Sequence, residues 1–347
     1  MNDCHGGDIY RQHVELDFSV NLNPLGMPEN VKEAVISHID SYMTYPDCHS
    51  QNLRAALADK EQVPFETVLC GNGATELIYQ AVWARRPKKA LILAPAFMEY
   101  ESALSAAGCE ITYFVLKEEN GFQFTNEEQA RFLKELQNQY DMLFFASPSN
   151  PCGIILKHDL ILETCHICEI TGTLVFLDEC FLDFTKQESF AQEVRRYRQL
   201  FILKSFTKNY CMAGLRLGYG ICGDAEMIEH MRRISPCWNV SSVAQAAGEA
   251  ALHNKEYMKT TRDYVRKERI FLKEQLVKFG FNNIFGEANY LFFKGVPKLR
   301  ERLLARGILI RNCDDYYGMP AGYYRIAIKS HEDNIRLTKA LEECIDG

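Results

Sequence analysis

Ser205-Phe-Thr-Lys208 follows an apolar run at 200–203, and Asp178 closes an earlier apolar run at 173–177. A lysine amine can bond a carbonyl carbon and, once released, serve as a base. An acid at the carboxyl end of a buried strand is poised over the crevice where alternating α/β chains bind ligands. Upstream, Gly71-Asn-Gly-Ala-Thr-Glu76 is a turn running straight into a helix. The first amides of such a helix, backed by the Thr75 hydroxyl, can hold an anion, although Thr75 alone would also serve as an ordinary N-cap. Ser147-Pro-Ser-Asn-Pro-Cys-Gly153 and Ala213-Gly-Leu-Arg-Leu-Gly-Tyr219 are two further loops beside apolar runs, and they supply Asn150 and Arg216.

Three shorter patterns have plainer readings. Gly218-Tyr-Gly-Ile-Cys-Gly223 has dinucleotide-binding spacing but ends a late strand instead of opening a first βαβ unit. Cys165-His-Ile-Cys168 lies within a helical pattern and has no second pair at zinc-site spacing, so core packing is expected and no metal. Ser205 and Lys208 match the Ser-x-x-Lys of acyl enzymes, but the companion Ser-Asp-Asn and Lys-Thr-Gly elements are missing.

The elements that must position these residues alternate. Apolar runs at 90–93, 111–115, 142–145, 173–177, 200–203 and 217–221 read as buried strands, and the stretches at 75–84, 97–107, 127–139, 159–171 and 188–197 read as helices. That order predicts an α/β fold with a mostly parallel sheet covered on both faces. Helices are expected at 29–42 and 51–60, then a helix-rich run to 279, strands at 290–294, 308–311 and 323–328, and a terminal helix at 332–345. The expected division is an N-terminal arm with part of a small domain at 1–45, a large domain at 46–235, and a smaller α+β domain at 236–347.

Taken in order, Asn150, Asp178, Ser205, Lys208 and Arg216 resemble the pyridoxal-phosphate enzymes of the aminotransferase fold, fold type I, over nearly the whole chain. The resemblance implies pyridoxal 5'-phosphate as cofactor, with Lys208 as the lysine that carries it and Asp178 paired with its ring nitrogen. Asn150 would bond the ring hydroxyl, Phe97 would stack on the ring, and Ala74, Thr75, Ser205 and Arg216 would hold the phosphate. Tyr45, in Tyr45-Pro-Asp47, matches a tyrosine that reaches the phosphate of a neighbouring subunit, which implies a homodimer. Two positions depart from the pattern. Phe181 stands where many relatives have a tyrosine, and Cys152 replaces a threonine.

The ends of the chain bear on the reaction. His5-Gly-Gly-Asp8 and the segment around Asn21 are similar to the start of the threonine-phosphate decarboxylases, which are themselves close to histidinol-phosphate aminotransferases. Arg311 and Arg325 fall where that resemblance places two arginines on the substrate's anionic groups. The α-carbon bond standing perpendicular to the cofactor ring is the one that breaks. If His5, Asn21, Arg311 and Arg325 hold a substrate phosphate, the carboxylate is that bond and decarboxylation follows. If Arg325 grips the carboxylate, the α-proton leaves and transamination follows. Asp8, where relatives often have Asn, keeps other amino-acid substrates open.

Composition bounds the rest. With 46 acids against 39 bases and a net charge of -7, no basic surplus exists for nucleic acid, and only a local cluster could hold an acidic small molecule. The 13 cysteines are odd in number and irregularly spaced, and the opening residues carry no apolar signal, so reduced thiols and a cytoplasmic location are expected. The apolar runs fall short of the roughly 18 to 20 residues needed to cross a membrane.

Overall fold

Apolar runs too short for helices pair side by side through the middle of the chain in the computed structural model, which describes residues 5–345. The strands are β1 (Leu16–Asp17), β2 (Val68–Asn72), β3 (Lys89–Ala94), β4 (Glu110–Val115), β5 (Met142–Ala146), β6 (Leu174–Asp178), β7 (Leu200–Ser205), β8 (Leu217–Cys222), β9 (Ile284–Phe285), β10 (Tyr290–Lys294), β11 (Ile308–Leu309), β12 (Arg311–Asn312) and β13 (Tyr323–Ala327). The helices are α1 (Glu29–Ser37), α2 (Gln51–Glu61), α3 (Ala74–Arg85), α4 (Met98–Ala106), α5 (Asn126–Glu135), α6 (His158–Thr171), α7 (Phe206–Asn209), α8 (Ala225–Ile234), α9 (Ser242–Leu252), α10 (Lys255–Lys278), α11 (Leu299–Leu304) and α12 (His331–Ile345).

The large sheet has seven strands in the order β2-β8-β7-β6-β5-β3-β4. Strands β3 to β7 pair in parallel, while β8 runs antiparallel to both β7 and β2. Along β6, Leu174 and Phe176 pack on one face and Val175 and Leu177 on the other, all buried. Burial on both faces is why these runs are continuously apolar rather than alternating, and each such side chain contributes about 1.5–3 kcal/mol.

The direction of β8 matters for function. Its start, not its end, lies beside Ser205, with Ser205 opposite Gly218 and Gly218 opposite Gly71. Arg216, just before β8, therefore comes to the same edge of the sheet as Gly73, Asp178 and Ser205.

A second sheet, β12-β13-β10-β9, is antiparallel throughout, and its register sets Arg311 directly opposite Arg325. The expected strand at 308–311 is thus two strands. Ile308 and Leu309 pair in parallel with Leu16 and Asp17, and only Arg311 and Asn312 join β13. Beyond β1, Phe18 donates to the Leu309 carbonyl and accepts from the Ala327 amide, which ties residues 18–21 against β13. Two expected helices are also shorter. Helix α1 stops at Ser37, where the Ser37 hydroxyl and the His38 ring both turn back to the Ala34 carbonyl and compete with the backbone ladder. The 188–197 stretch forms only a 3-10 segment, Phe190–Arg195. Strand β2 was not expected, because its apolar part, Val68 to Cys70, is too brief to stand out before the glycine turn.

Among the described residues, no helix is long and apolar enough to cross a membrane and no cluster of metal-ligating side chains occurs. Cys165 and Cys168 lie buried in α6 with their thiol pKa values raised by burial, as core packing requires.

Candidate active site

The carboxyl edge of the large sheet opens onto a cavity of about 360 Å³. One end is built by two glycines. Gly73 precedes α3 with φ +82°, and a Cβ there would stand 2.6 Å from Nη2 of Arg216; a Cβ on Gly218 would stand 2.6 Å from the amide nitrogen of Ala74. Only residues without side chains let the guanidinium, the strand and the first turn of the helix come this close. Gly73 also offers no side-chain cap to α3, so amides of its first turn are left for an anion. Arg216 is held by its Nη1 donating to the Ala213 carbonyl at 3.0 Å. Ala74, Thr75 and Arg216 line the cavity together with Thr207. Ser205 lies one layer behind, with its hydroxyl 2.6 Å from that of Thr207.

The middle of the cavity holds Lys208 and Asp178. Asp178 ends β6 and is buried. Its Oδ2 accepts from the Tyr100 hydroxyl at 2.6 Å and its Oδ1 from the Cys180 amide at 2.8 Å, so two neutral donors fix the carboxylate's orientation. Burial, reinforced by the Asp178 charge, pushes the Tyr100 pKa well above the usual phenol range and keeps it a donor. Tyr100 in turn packs edge-on against Phe97, which lines the same cavity. Lys208 Nζ stands 5.8 Å from the centre of the Phe181 ring, which bears no hydroxyl.

Cations gather at the other end. Arg325, buried on β13, donates through Nη1 to Oδ1 of Asn150 and through Nη2 to the Ser19 carbonyl at 2.8 Å, while its Nε is buried without a partner. Asn21 likewise leaves a buried Oδ1 unpaired. Buried polar atoms without partners are uncommon, and these two belong to residues that line the cavity. Arg311 donates to both carboxylate oxygens of Asp315, at 2.7 and 2.9 Å. Burial works against its charge, but the negative charge of Tyr316, where it ionises, and the Asp315 carboxylate outweigh it and raise the pKa. His5 completes the group, with Nε2 2.6 Å from Oε1 of Glu99, whose other oxygen accepts from the Tyr79 hydroxyl.

Of the residues singled out in the sequence, His5, Asn21, Ala74, Thr75, Phe97, Asn150, Asp178, Lys208, Arg216, Arg311 and Arg325 line this one cavity. Ser205 sits behind Thr207. Tyr45 does not line it; the ring lies on the surface, 78% exposed, and stacks at 4.3 Å on Trp238. The sequence reading assigned nothing to Thr207, Tyr100, Tyr316 or Asp315. Thr207 lies inside the Ser205–Lys208 motif, where its hydroxyl could have been noticed, and Tyr100 is three residues after Phe97 near the start of α4, so helical spacing could have found it. Tyr316 and Asp315 have no such signal.

The family model for aminotransferase class I and II matches residues 14–342. The chain is 36% identical to a threonine-phosphate decarboxylase of Salmonella typhimurium, an alignment covering 100% of this chain and 98% of that one. Among solved structures, a histidinol-phosphate aminotransferase from Clostridium acetobutylicum superposes with a TM-score of 0.87 at 27% identity, covering 95% and 99% of the two chains. An L-threonine-O-3-phosphate decarboxylase from Porphyromonas gingivalis gives 0.83 at 23% identity, covering 96% and 100%, and speaks for the fold.

Proposed function

We propose that this chain, which belongs to the aminotransferase class I and II family, is a pyridoxal-phosphate enzyme that decarboxylates a phosphorylated amino acid, L-threonine O-3-phosphate being the substrate that fits best. The observation that carries this is the convergence of His5, Arg311 and Arg325 on the cavity that holds Lys208. The 36% identity to the Salmonella typhimurium decarboxylase over the full chain supports the same reading.

The residues present fit the cofactor. The uncapped first turn of α3 at Ala74 and Thr75, packed close on Gly218, with Arg216 closed in by Gly73, suits a phosphate, with Ser205 and Thr207 adding hydroxyls. Asp178, oriented by Tyr100 and Cys180, suits a protonated ring nitrogen; Asn150 suits the ring hydroxyl and Phe97 the ring face. When bound, the cofactor supplies a carbonyl carbon for amines and a ring that accepts the electron pair of a bond breaking at the substrate's α-carbon. Lys208 is the amine that carries it and, once freed, the base or acid at that carbon.

Arg311, Arg325, His5 and Asn21 bind the distal phosphate. Held there, the substrate presents its carboxylate as the bond to be cleaved; carbon dioxide leaves, and Lys208 Nζ or a water returns a proton to the former α-carbon. The product is aminopropanol phosphate. Transamination is the second reading, favoured by the contact of Arg325 with Asn150, which would suit a carboxylate held beside the ring. Tyr45, exposed and stacked on Trp238, would reach the phosphate site of a second copy in a cytoplasmic homodimer.

The test is incubation of the cofactor-loaded protein with L-threonine phosphate. Carbon dioxide and aminopropanol phosphate are expected in equal amounts without any oxo acid. Absence of both, with 2-oxoglutarate-dependent turnover of histidinol phosphate, would favour the second reading.

A further inference from the structure

Arg311 and Arg325 stand directly opposite each other on β12 and β13. Like charges at paired positions repel, so each guanidinium needs compensation. Arg325 has neutral acceptors, the Asn150 side chain and the Ser19 carbonyl. Arg311 donates to the neutral Asn312 carbonyl at 2.6 Å and to a charged acceptor, Asp315, which offers both its oxygens. Arg311 also marks a seam. It lines the cavity of Lys208 and a second cavity of about 240 Å³, and Asp315 lines only the second. Two other acids that line the second cavity have partners of their own. Asp314 accepts from the Gly322 amide at 2.7 Å, and Asp8 from Arg11 at 3.0 Å and Gln12 at 3.0 Å.

We propose that Asp315 is a specificity-determining residue, an internal carboxylate that competes with the substrate's distal anion for Arg311 and thereby selects phosphate over carboxylate. The proposal rests on the reading that the cavity takes a phosphorylated amino acid. A substrate carboxylate offers Arg311 the same singly charged, two-oxygen partner that Asp315 already supplies within the chain, so exchanging one for the other gains nothing. A phosphate monoester brings about -1.5 to -2 charges and three acceptor oxygens at neutral pH. Displacing Asp315 costs any ligand the same, so the selection lies in sharing: the third oxygen and the extra charge let a phosphate bond the guanidinium while Asp315 stays in place, because charge-assisted bonds strengthen with the charge of the acceptor. Discrimination then comes from a built-in competitor rather than from a tighter fit.

Asp315→Asn keeps the size and one oxygen acceptor but removes the charge. The experiment titrates cofactor-loaded Lys208→Ala protein, in which turnover is blocked, with O-phospho-L-threonine and with L-glutamate, with and without the Asp315→Asn change. The expected result is that the preference for the phosphate ligand narrows by about tenfold, chiefly because glutamate binds more tightly. An unchanged ratio would overturn the proposal, as would equal weakening of both ligands, which would make Asp315 a mere prop for Arg311. The reaction reading fails separately. A chain that shows the Asp315-dependent preference but releases no carbon dioxide from L-threonine phosphate loses that reading alone, and one that releases it with an unchanged ratio loses this inference alone.

Discussion

Two glycines shape one end of the cavity, since they let Arg216 and the first turn of α3 occupy the same corner. Gly73 has φ +82°, and a methyl group there would meet the Arg216 guanidinium at 2.6 Å. Gly73→Ala is therefore strained by both backbone and contact, costing about 1–2 kcal/mol, and the guanidinium must shift. Cofactor affinity is expected to fall at least tenfold, read by fluorescence titration with pyridoxal phosphate, while the thermal midpoint drops only modestly. An unchanged affinity would mean that Arg216 does not hold the phosphate. Much of the cavity was legible at this scale, but mainly through the resemblance: Asp178 is marked by its place at the end of an apolar run, whereas Asn150, Lys208 and Arg216 lie beside such runs and took their roles from the ordered motifs. Asp315 was not legible. Its role depends on a turn that folds it back four residues onto Arg311, and no periodicity announces such a turn.

At the scale of elements, strand ends β6 and β7 carry a second, buried set of charges next to the reactive ones. Lys204, one residue before Ser205, has its Nζ 3.4 Å from Glu61 on α2 and 3.4 Å from Glu179, the residue after Asp178. Glu179 also accepts from Ser189 and from the Phe190 amide. This triad locks α2, β6 and β7 together, and removing its cation strands the buried Glu179 carboxylate and leaves Glu61 with Lys60 alone, 3.3 Å away. Lys204→Met is expected to cost about 3–5 kcal/mol at pH 7, measured by urea unfolding. Burial tends to raise the Glu61 pKa, but Lys204 and Lys60 outweigh it and hold it at about 2, below its ordinary 4.5. A depressed carboxyl stabilises the fold above pH 4.5 and loses that contribution as pH falls toward 2. Without Lys204 the acids gain by protonation instead, so the variant's deficit should shrink between pH 7 and pH 4.5; a deficit independent of pH would contradict this. The parallel strands were readable from their apolar runs, and β8 was recognised as a strand. Its antiparallel direction was not, because direction is set by pairing with β7 and β2 and leaves no mark on hydropathy. The split of 308–311 between two sheets escaped for the same reason.

At the scale of the whole molecule, exposed apolar side chains collect near Tyr45. Met43 is 83% exposed and Ile39 64%, and Trp238 stacks on Tyr45. Exposed apolar side chains of this kind suit the proposed pairing in which Tyr45 serves a second copy. Trp238→Asp is expected to yield monomers by analytical ultracentrifugation and to weaken cofactor binding in parallel; monomers with full cofactor affinity would remove Tyr45 from the phosphate site. The net charge is -7, yet five basic residues, His5, Arg311, Arg325, Arg216 and Lys208, face one cavity. The central claim is that this cluster exposes the carboxylate rather than the α-proton. It is tested most directly by turning over L-threonine phosphate in deuterium oxide and following the product by NMR. The expected product is aminopropanol phosphate that keeps its original α-hydrogen and gains one deuterium at that carbon. Loss of the α-hydrogen to solvent without release of carbon dioxide would contradict the account.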